Sequence, residues 1–471
     1  MLLYLAVTIV VGLLASRLVH NTEDYLLAGR RLPFAIATGT LFATWFGSET
    51  ILGSSSEFAE GGLIAVVRDP FGAGLCLLLV ALIYARPLYR MKLLTFGDFY
   101  RNRYGAGVEL LAGLCIMLTY IAWIAAQMVA FGILLYAIAG WPVLTGILTA
   151  GVVVTFYTFI GGMWSVSVTD FLQMIFILAG LTAASLEISG IVSFREVIQN
   201  TPKGFFRFTP EPGAVNHLNY FAAWITIGLG SIAGQDIFQR VMASRSERVA
   251  VMSSLVAAIM YLSVAMVPLA LALTGRHLMP HYIETHTDTQ FIIPALISNY
   301  TSTLVQILLF GALLSAILST ASSALLAPAA ILGENIIRPR LKQISDRKLL
   351  WISRFSVLII SLIAMVMAVR RGNIYELVGE AASVGLVSLF IPLTAGLFWK
   401  KANTRGAVSS IIAGLVVWLA ASWAGTAVES ILYGLLASVV GMYLGSRFPK
   451  KPATGMAEKN QHPPATIIPG N

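Results

Sequence analysis

Apolar runs of about 20 residues, separated by short polar joints, succeed one another from Leu2 to Ser446. Each is long enough to cross a hydrocarbon core of ~30 Å as a helix. The pattern predicts spans at 2–18, 34–58, 64–88, 107–138, 141–162, 166–190, 217–242, 248–273, 302–335, 350–370, 375–399, 405–425 and 428–446. That is an all-α membrane protein of about thirteen helices. A β-barrel is excluded, because its strands alternate over ~10 residues and form no long apolar runs. The first run lacks a basic segment before it and a small-residue cleavage site after it, so it is read as a span and not as a signal peptide.

Two of these spans are interrupted. The run Ala43-Thr-Trp-Phe-Gly-Ser-Glu-Thr-Ile-Leu-Gly53 places a carboxylate, Glu49, beside Gly47, Ser48 and Thr50 at membrane depth. Unwound backbone is tolerated there only where it faces protein or a water-filled cavity. The run Gly228-Leu-Gly-Ser-Ile-Ala-Gly-Gln-Asp-Ile-Phe-Gln-Arg240 repeats the feature, with Asp236 as its carboxylate. Matching interruptions in two halves point to an inverted-repeat transporter with a site near the midplane. Counting five spans from each interruption divides the chain into an extra first helix with its link (1–33), a first repeat (34–190), an external loop (191–216), a second repeat (217–399), two C-terminal helices (400–447) and a disordered tail (448–471).

Composition agrees, with 57% hydrophobic and 11% charged residues against roughly 25% charged in soluble domains. The net charge of +9 raises the question of nucleic acid, but the basic residues cluster at Arg30-Arg31, Arg86 to Arg103, Arg240 to Arg248, Arg338 to Arg354, Lys400 to Arg405 and Arg447 to Lys451. These fall on one side of alternating spans, the cytoplasmic bias that sets topology. It places the N-terminus outside and the C-terminus inside a plasma membrane, with no nucleic-acid partner. Cys76 and Cys115 lie within apolar spans and are read as buried small hydrophobes. The external connection 274–300 carries His277, His281 and His286, read as an interfacial helix or lid with solvated histidines.

Candidate chemistry lies in the polar residues left inside the spans. Ala316, Ser319, Thr320 and Ser323 follow at i, i+3, i+4 and i+7 and share one helical face, with Ser322 beside them. Small residues and hydroxyls of this kind serve close helix packing, or their oxygens serve a hard monovalent cation such as Na⁺. Asp170 sits in the first turns of its span, where an acid costs roughly 2.5–3.5 kcal/mol and is a functional hypothesis by default. No phosphate-binding loop, nucleophile elbow or metal-ligand cluster is present in the sequence, so no enzyme activity is expected.

The chain resembles the sodium/solute symporters over nearly its whole length. The marks are Asp24-Tyr-Leu-Leu-Ala-Gly-Arg30, Thr95-Phe-Gly-Asp-Phe with Arg103-Tyr-Gly, Tyr157-Thr-Phe-Ile-Gly-Gly through Thr169-Asp170, Gln239-Arg240 and Leu397-Phe-Trp-Lys-Lys-Ala-Asn403. The resemblance implies a LeuT-like fold and a primary sodium site of the Ala43, Phe46 and Ala316 carbonyls with the Ser319 and Thr320 hydroxyls. It also implies a second sodium site of Asp170, Ser319, Ser322 and Ser323. The Ala43-Thr-Trp pattern is nearest to choline- and proline-type branches, in which aromatic rings cage a cation. Trp45, Glu49, Thr50, Trp123, Gly234, Gln235 and Glu380 are the expected substrate residues; Gly234 stands where a third cage aromatic would be. Arg68-Asp69-Pro70, near the outer mouth, is read as an internal ion pair, with capture of a substrate carboxylate as the alternative.

The expected function is sodium-coupled import of a small zwitterionic or cationic solute such as proline or choline, by alternating access, in a monomer or weak oligomer embedded in lipid. The alternatives are a monocarboxylate or sugar symporter using Na⁺ or H⁺, or a membrane sensor of the same fold.

Overall fold

In lipid the backbone must satisfy its own N–H and C=O groups, and each predicted span from 34–58 onward is largely helical over its described residues in the computed structural model. It describes residues 14, 17, 22–158, 163–284, 288–337 and 346–447. The first predicted span falls almost wholly outside the described residues, as does the tail. The helices are α1 Phe34–Trp45, α2 Ser55–Gly61, α3 Leu63–Arg90, α4 Ala106–Ala139, α5 Val143–Thr158, α6 Met163–Ser189, α7 Ala214–Ala233, α8 Gln235–Ala243, α9 Glu247–Leu278, α10 Thr303–Ile337, α11 Asp346–Arg371, α12 Ile374–Phe398, α13 Thr404–Ala424 and α14 Ser430–Arg447. Among the described residues the pairing of Leu32 with Ser244 is an isolated strand-like bridge.

Among the described residues, seven helices are long and apolar enough to cross a bilayer by length and composition, or eight if α7 and α8 count as one bent span. This is fewer than the apolar runs predict. α1 stops early and α5 is short, each counting only as a shorter apolar helix; the first predicted span lies almost wholly outside the described residues, and α11 and α14 are helical but are not among the seven.

Both predicted interruptions are real. α1 ends where Phe46 leaves helical geometry (φ −93°, ψ 86°), and the chain re-forms as a wide turn, Glu49–Ser54, that runs into α2. α7 and α8 meet at Gly234, which is extended (φ −71°, ψ 130°), and their axes differ by 55°. α1 packs against α6 and α9, and α4 lies along α10 and α12, so the two interruptions sit inside a jacket of long helices. The side chains of Val152, Phe156, Leu186, Leu304 and Leu436 point outward and are more than half exposed, the arrangement expected of a lipid-facing surface. α13 and α14 form a close pair, with a hydrogen bond of 2.8 Å between Ser410 and Ser438 in an otherwise small-residue contact.

The connection 191–216 is folded. It contains a short helix, Phe194–Gln199, and Phe205 packs edge-on to Phe58 while Phe208 meets Trp224 and Phe71. The connection 274–300 also carries a helix, Ile292–Tyr300, whose buried face holds Ile293 and Leu296. Its Gln290 donates to the Gly372 carbonyl at 3.0 Å and accepts from the Ile374 N–H at 2.8 Å, which ties it to the joint between α11 and α12. His286 lies outside the described residues.

Candidate functional site

Between the two interruptions lies a cavity whose wall includes Trp45, Glu49, Asp69, Tyr120, Trp123 and Asp236. Glu49 begins the wide turn after α1, and burial reduces it to 6% exposure. One of its oxygens accepts from the Trp123 indole N–H and from the Gln127 amide at 2.7 Å. Ser48 holds that amide in place by donating to the Gln127 oxygen at 2.9 Å. The other Glu49 oxygen is buried without a hydrogen-bond partner.

Asp236, in the first turn of α8, accepts from the Trp45 indole at 3.0 Å and from the Tyr120 hydroxyl at 2.8 Å. Its own N–H donates back to the Tyr120 oxygen at 2.7 Å. Gly234 leaves the space this carboxylate occupies, because a Cβ there would come within 2.7 Å of it and 2.9 Å of the Ser231 carbonyl. The space expected for a third aromatic is therefore held by an acid.

Asp69 does not pair with Arg68. Its backbone is extended (φ −144°, ψ 125°), which turns successive side chains to opposite sides. Asp69 accepts from Tyr261 at 2.5 Å, from Thr50 at 3.3 Å and from Ser54. The Arg68 guanidinium lies over the Tyr375 ring at 5.3 Å.

Of the expected substrate residues, Trp45, Glu49, Trp123 and Gly234 line the cavity. The other three face elsewhere. Thr50 bonds Tyr261 at 2.6 Å behind the wall. The Gln235 oxygen accepts from the Phe96 N–H at 2.8 Å, away from the cavity. Glu380 forms an ion pair of 3.3 Å with Arg371 at a partly exposed position. Asp69, Tyr120, Asp236 and Tyr261 enter the wall instead, and Asp236 was visible in the sequence as the acid of the second interruption.

The oxygen-rich region lies where α1, α6 and α10 meet. Asp170 is buried and accepts from Thr40 at 2.6 Å and from Ser319 at 2.8 Å, with Thr44 at 3.5 Å. The Arg240 guanidinium, buried to 1% exposure, stands 3.6 Å from the same carboxylate. Ala43, Phe46, Ala316 and Thr320 are buried in the same elements. The Phe46 N–H still donates to the Phe42 carbonyl at 2.7 Å, and a helix that ends there offers its following carbonyls no further intrahelical donor. Ser322 accepts from Thr158 at 3.5 Å, and the Ser323 oxygen is buried without a hydrogen-bond partner; neither is bonded to Asp170. Gln173 bonds the Ser315 hydroxyl at 2.8 Å, a contact that the sequence pattern did not announce.

The chain is similar to relatives of known activity. The chain is 27% identical over 438 residues to the High-affinity choline transporter 1 of Drosophila melanogaster, covering 88% of this chain and 69% of that one. It is 26% identical over 486 residues to the High-affinity proline transporter PutP of Bacillus subtilis, covering 96% and 98%. A solved structure of a Na⁺-coupled sialic acid symporter in a substrate-bound, outward-open state superposes with a TM-score of 0.79 at 20% identity, over 94% of this chain and 95% of that one. The transporter MhsT in complex with L-phenylalanine superposes with a TM-score of 0.55 at 14% identity, over 88% and 99%. Residues 25–414 match the sodium:solute symporter family, and the chain belongs to that family of sodium-coupled, multi-pass membrane transporters.

Proposed function

We propose that this symporter imports a small organic cation or zwitterion together with Na⁺. The observation that carries the reading is Glu49: a buried carboxylate on the cavity wall, fixed through one oxygen and free at the other, beside the indoles of Trp45 and Trp123. A buried charge is costly unless it is paired, and an ammonium group seated there gains both the carboxylate and the ring faces. The choline and proline transporters among its relatives support a solute of this charge type.

Sodium is assigned to the Ala43, Phe46 and Ala316 carbonyls with Ser319 and Thr320, and a second ion to Asp170 with Ser319, Ser322 and Ser323. Two ions crossing 100 mV supply about 4.6 kcal/mol from voltage alone, some three decades of accumulation for a neutral solute at about 1.4 kcal/mol per decade. The repeats are assigned to 34–190 and 217–399, with the N-terminus outside and the C-terminus inside.

The test is a thermal-shift screen of the purified protein with and without NaCl against choline, betaine, proline, monocarboxylates and sugars. Amines are expected to stabilise it in a sodium-dependent way. Glu49→Gln should weaken that response roughly tenfold to a hundredfold, the worth of a charged hydrogen bond. Stabilisation by acids or sugars and not by amines overturns the assignment. Ser319→Ala or Thr320→Ala is expected to abolish sodium-dependent uptake; uptake that stays unchanged at low sodium removes the primary sodium site.

A further inference from the structure

The charge on the cavity wall exceeds what a solute with one positive charge requires. Glu49, Asp69 and Asp236 all line it, and among the described residues no Lys, Arg or His does. Asp69 accepts from three hydroxyls, those of Ser54, Thr50 and Tyr261, which fill three of its acceptor sites. Glu49 and Asp236 remain. Arg240 does not neutralise Asp236: it donates to the Asp236 backbone carbonyl at 3.1 Å, and its guanidinium is directed to the Asp170 carboxylate at 3.6 Å.

One Glu49 oxygen is buried without a hydrogen-bond partner, on a residue of the cavity wall. Asp236 accepts one donor on each oxygen, which leaves lone pairs on both, since an ionised carboxylate offers about four acceptor sites.

The spacing of the two acids is set by α4. Tyr120 bonds Asp236 and Trp123 bonds Glu49, and these rings are three residues apart on one helix with centroids 5.7 Å from each other. Side chains so placed are neighbours on a helix face, roughly 5–6 Å apart at Cβ. Glu49 and Asp236 are thereby held by two rings that lie one helical turn apart on α4.

We infer that the solute is a short alkyl diamine, one ammonium group on Glu49 and the other on Asp236, its methylene chain lying along Tyr120 and Trp123. This rests on the organic-cation reading of the cavity and narrows it. A solute with one cationic group leaves one of the two carboxylates buried and unpaired, which is the costly arrangement.

The experiment compares diaminobutane, with an amine at each end, to butylamine and to choline. Sodium-dependent thermal stabilisation of the full-length protein is the readout. The diamine is expected to reach half its effect at a concentration roughly tenfold to a hundredfold below that of butylamine, the worth of a second charged hydrogen bond. Asp236→Asn should bring the diamine's half-effect concentration up to that of butylamine measured on the same variant, with the sodium-only shift kept as the measure of folding.

Butylamine or choline stabilising the wild-type protein as well as the diamine overturns the inference and leaves the cation reading intact. No response to any amine, with a response to acids or sugars, overturns both. If Asp236→Asn weakens the two amines equally, Asp236 is a structural acceptor for Trp45 and Tyr120 and the second ammonium site falls. Should that variant fail to fold, the wild-type ratio of diamine to butylamine decides.

Discussion

Asp170→Asn is expected to lose the sodium response and to unfold at a markedly lower temperature. Two effects combine. Asp170 is the proposed anionic ligand of the second sodium site, and it is also the carboxylate beside Arg240, 3.6 Å away, with both groups fully buried. Removing one partner of a buried pair leaves the other uncompensated, at a cost of about 3–5 kcal/mol. An asparagine still accepts from Thr40 or Ser319, so the loss measures the charge and not the hydrogen bonds. Adding Arg240→Met should recover most of the lost stability, because replacing both members with apolar groups removes the stranded charge. It should not recover the sodium response. Melting curves of the single and double variants with and without NaCl check this. A double variant no more stable than the single one would show that the pair is not the source of the effect.

The two interruptions could be read from single segments. Gly47, Ser48 and Glu49 in one span, and Gly230, Gly234 and Asp236 in another, contradict an apolar helix by composition alone, and the backbone leaves helical geometry at Phe46 and at Gly234. What closes around the interruptions was less accessible. The contact of Tyr120 with Asp236 spans 116 residues and that of Tyr261 with Asp69 spans 192, and no spacing along one helix encodes either. Asp69 illustrates the point: its neighbour Arg68 made an adjacent ion pair the natural expectation, and one extended residue turned the two apart. Gln235 follows the same logic. It adjoins Gly234 on the wall, yet as the first residue of α8 it points to the Phe96 N–H. Asp236, one residue on, points in. A tyrosine hydroxyl in an otherwise apolar span was the available signal for Tyr120 and Tyr261, since a buried hydroxyl requires a partner.

Gly230→Ala is expected to abolish substrate-dependent stabilisation while leaving a folded but less stable protein. Gly230 closes the main part of α7 just before the interruption, and there the backbones of α7 and α12 touch. A Cβ at Gly230 would lie 2.2 Å from the Ala382 carbonyl oxygen, and one at Gly385 would lie 2.3 Å from the Gly230 carbonyl oxygen. These obstacles are backbone atoms, which no rotamer change can move aside, so α12 must shift as a unit. Overpacking of this kind costs roughly 1–3 kcal/mol. The shift also opens the wall, because Gly230, Ala382 and Gly385 all line the cavity, and it carries the turns of α7 and α8 that hold Asp236 away from Tyr120. Gly107→Ala serves as the control: it sits in the first turn of α4 with nothing within 4 Å of its Cβ position, and there the change should be neutral or stabilising by about 0.5–1 kcal/mol. The measurement is the thermal midpoint of each variant, with and without sodium and with each amine. If Gly230→Ala binds as the wild type does, the backbone contact between α7 and α12 does not position the cavity wall.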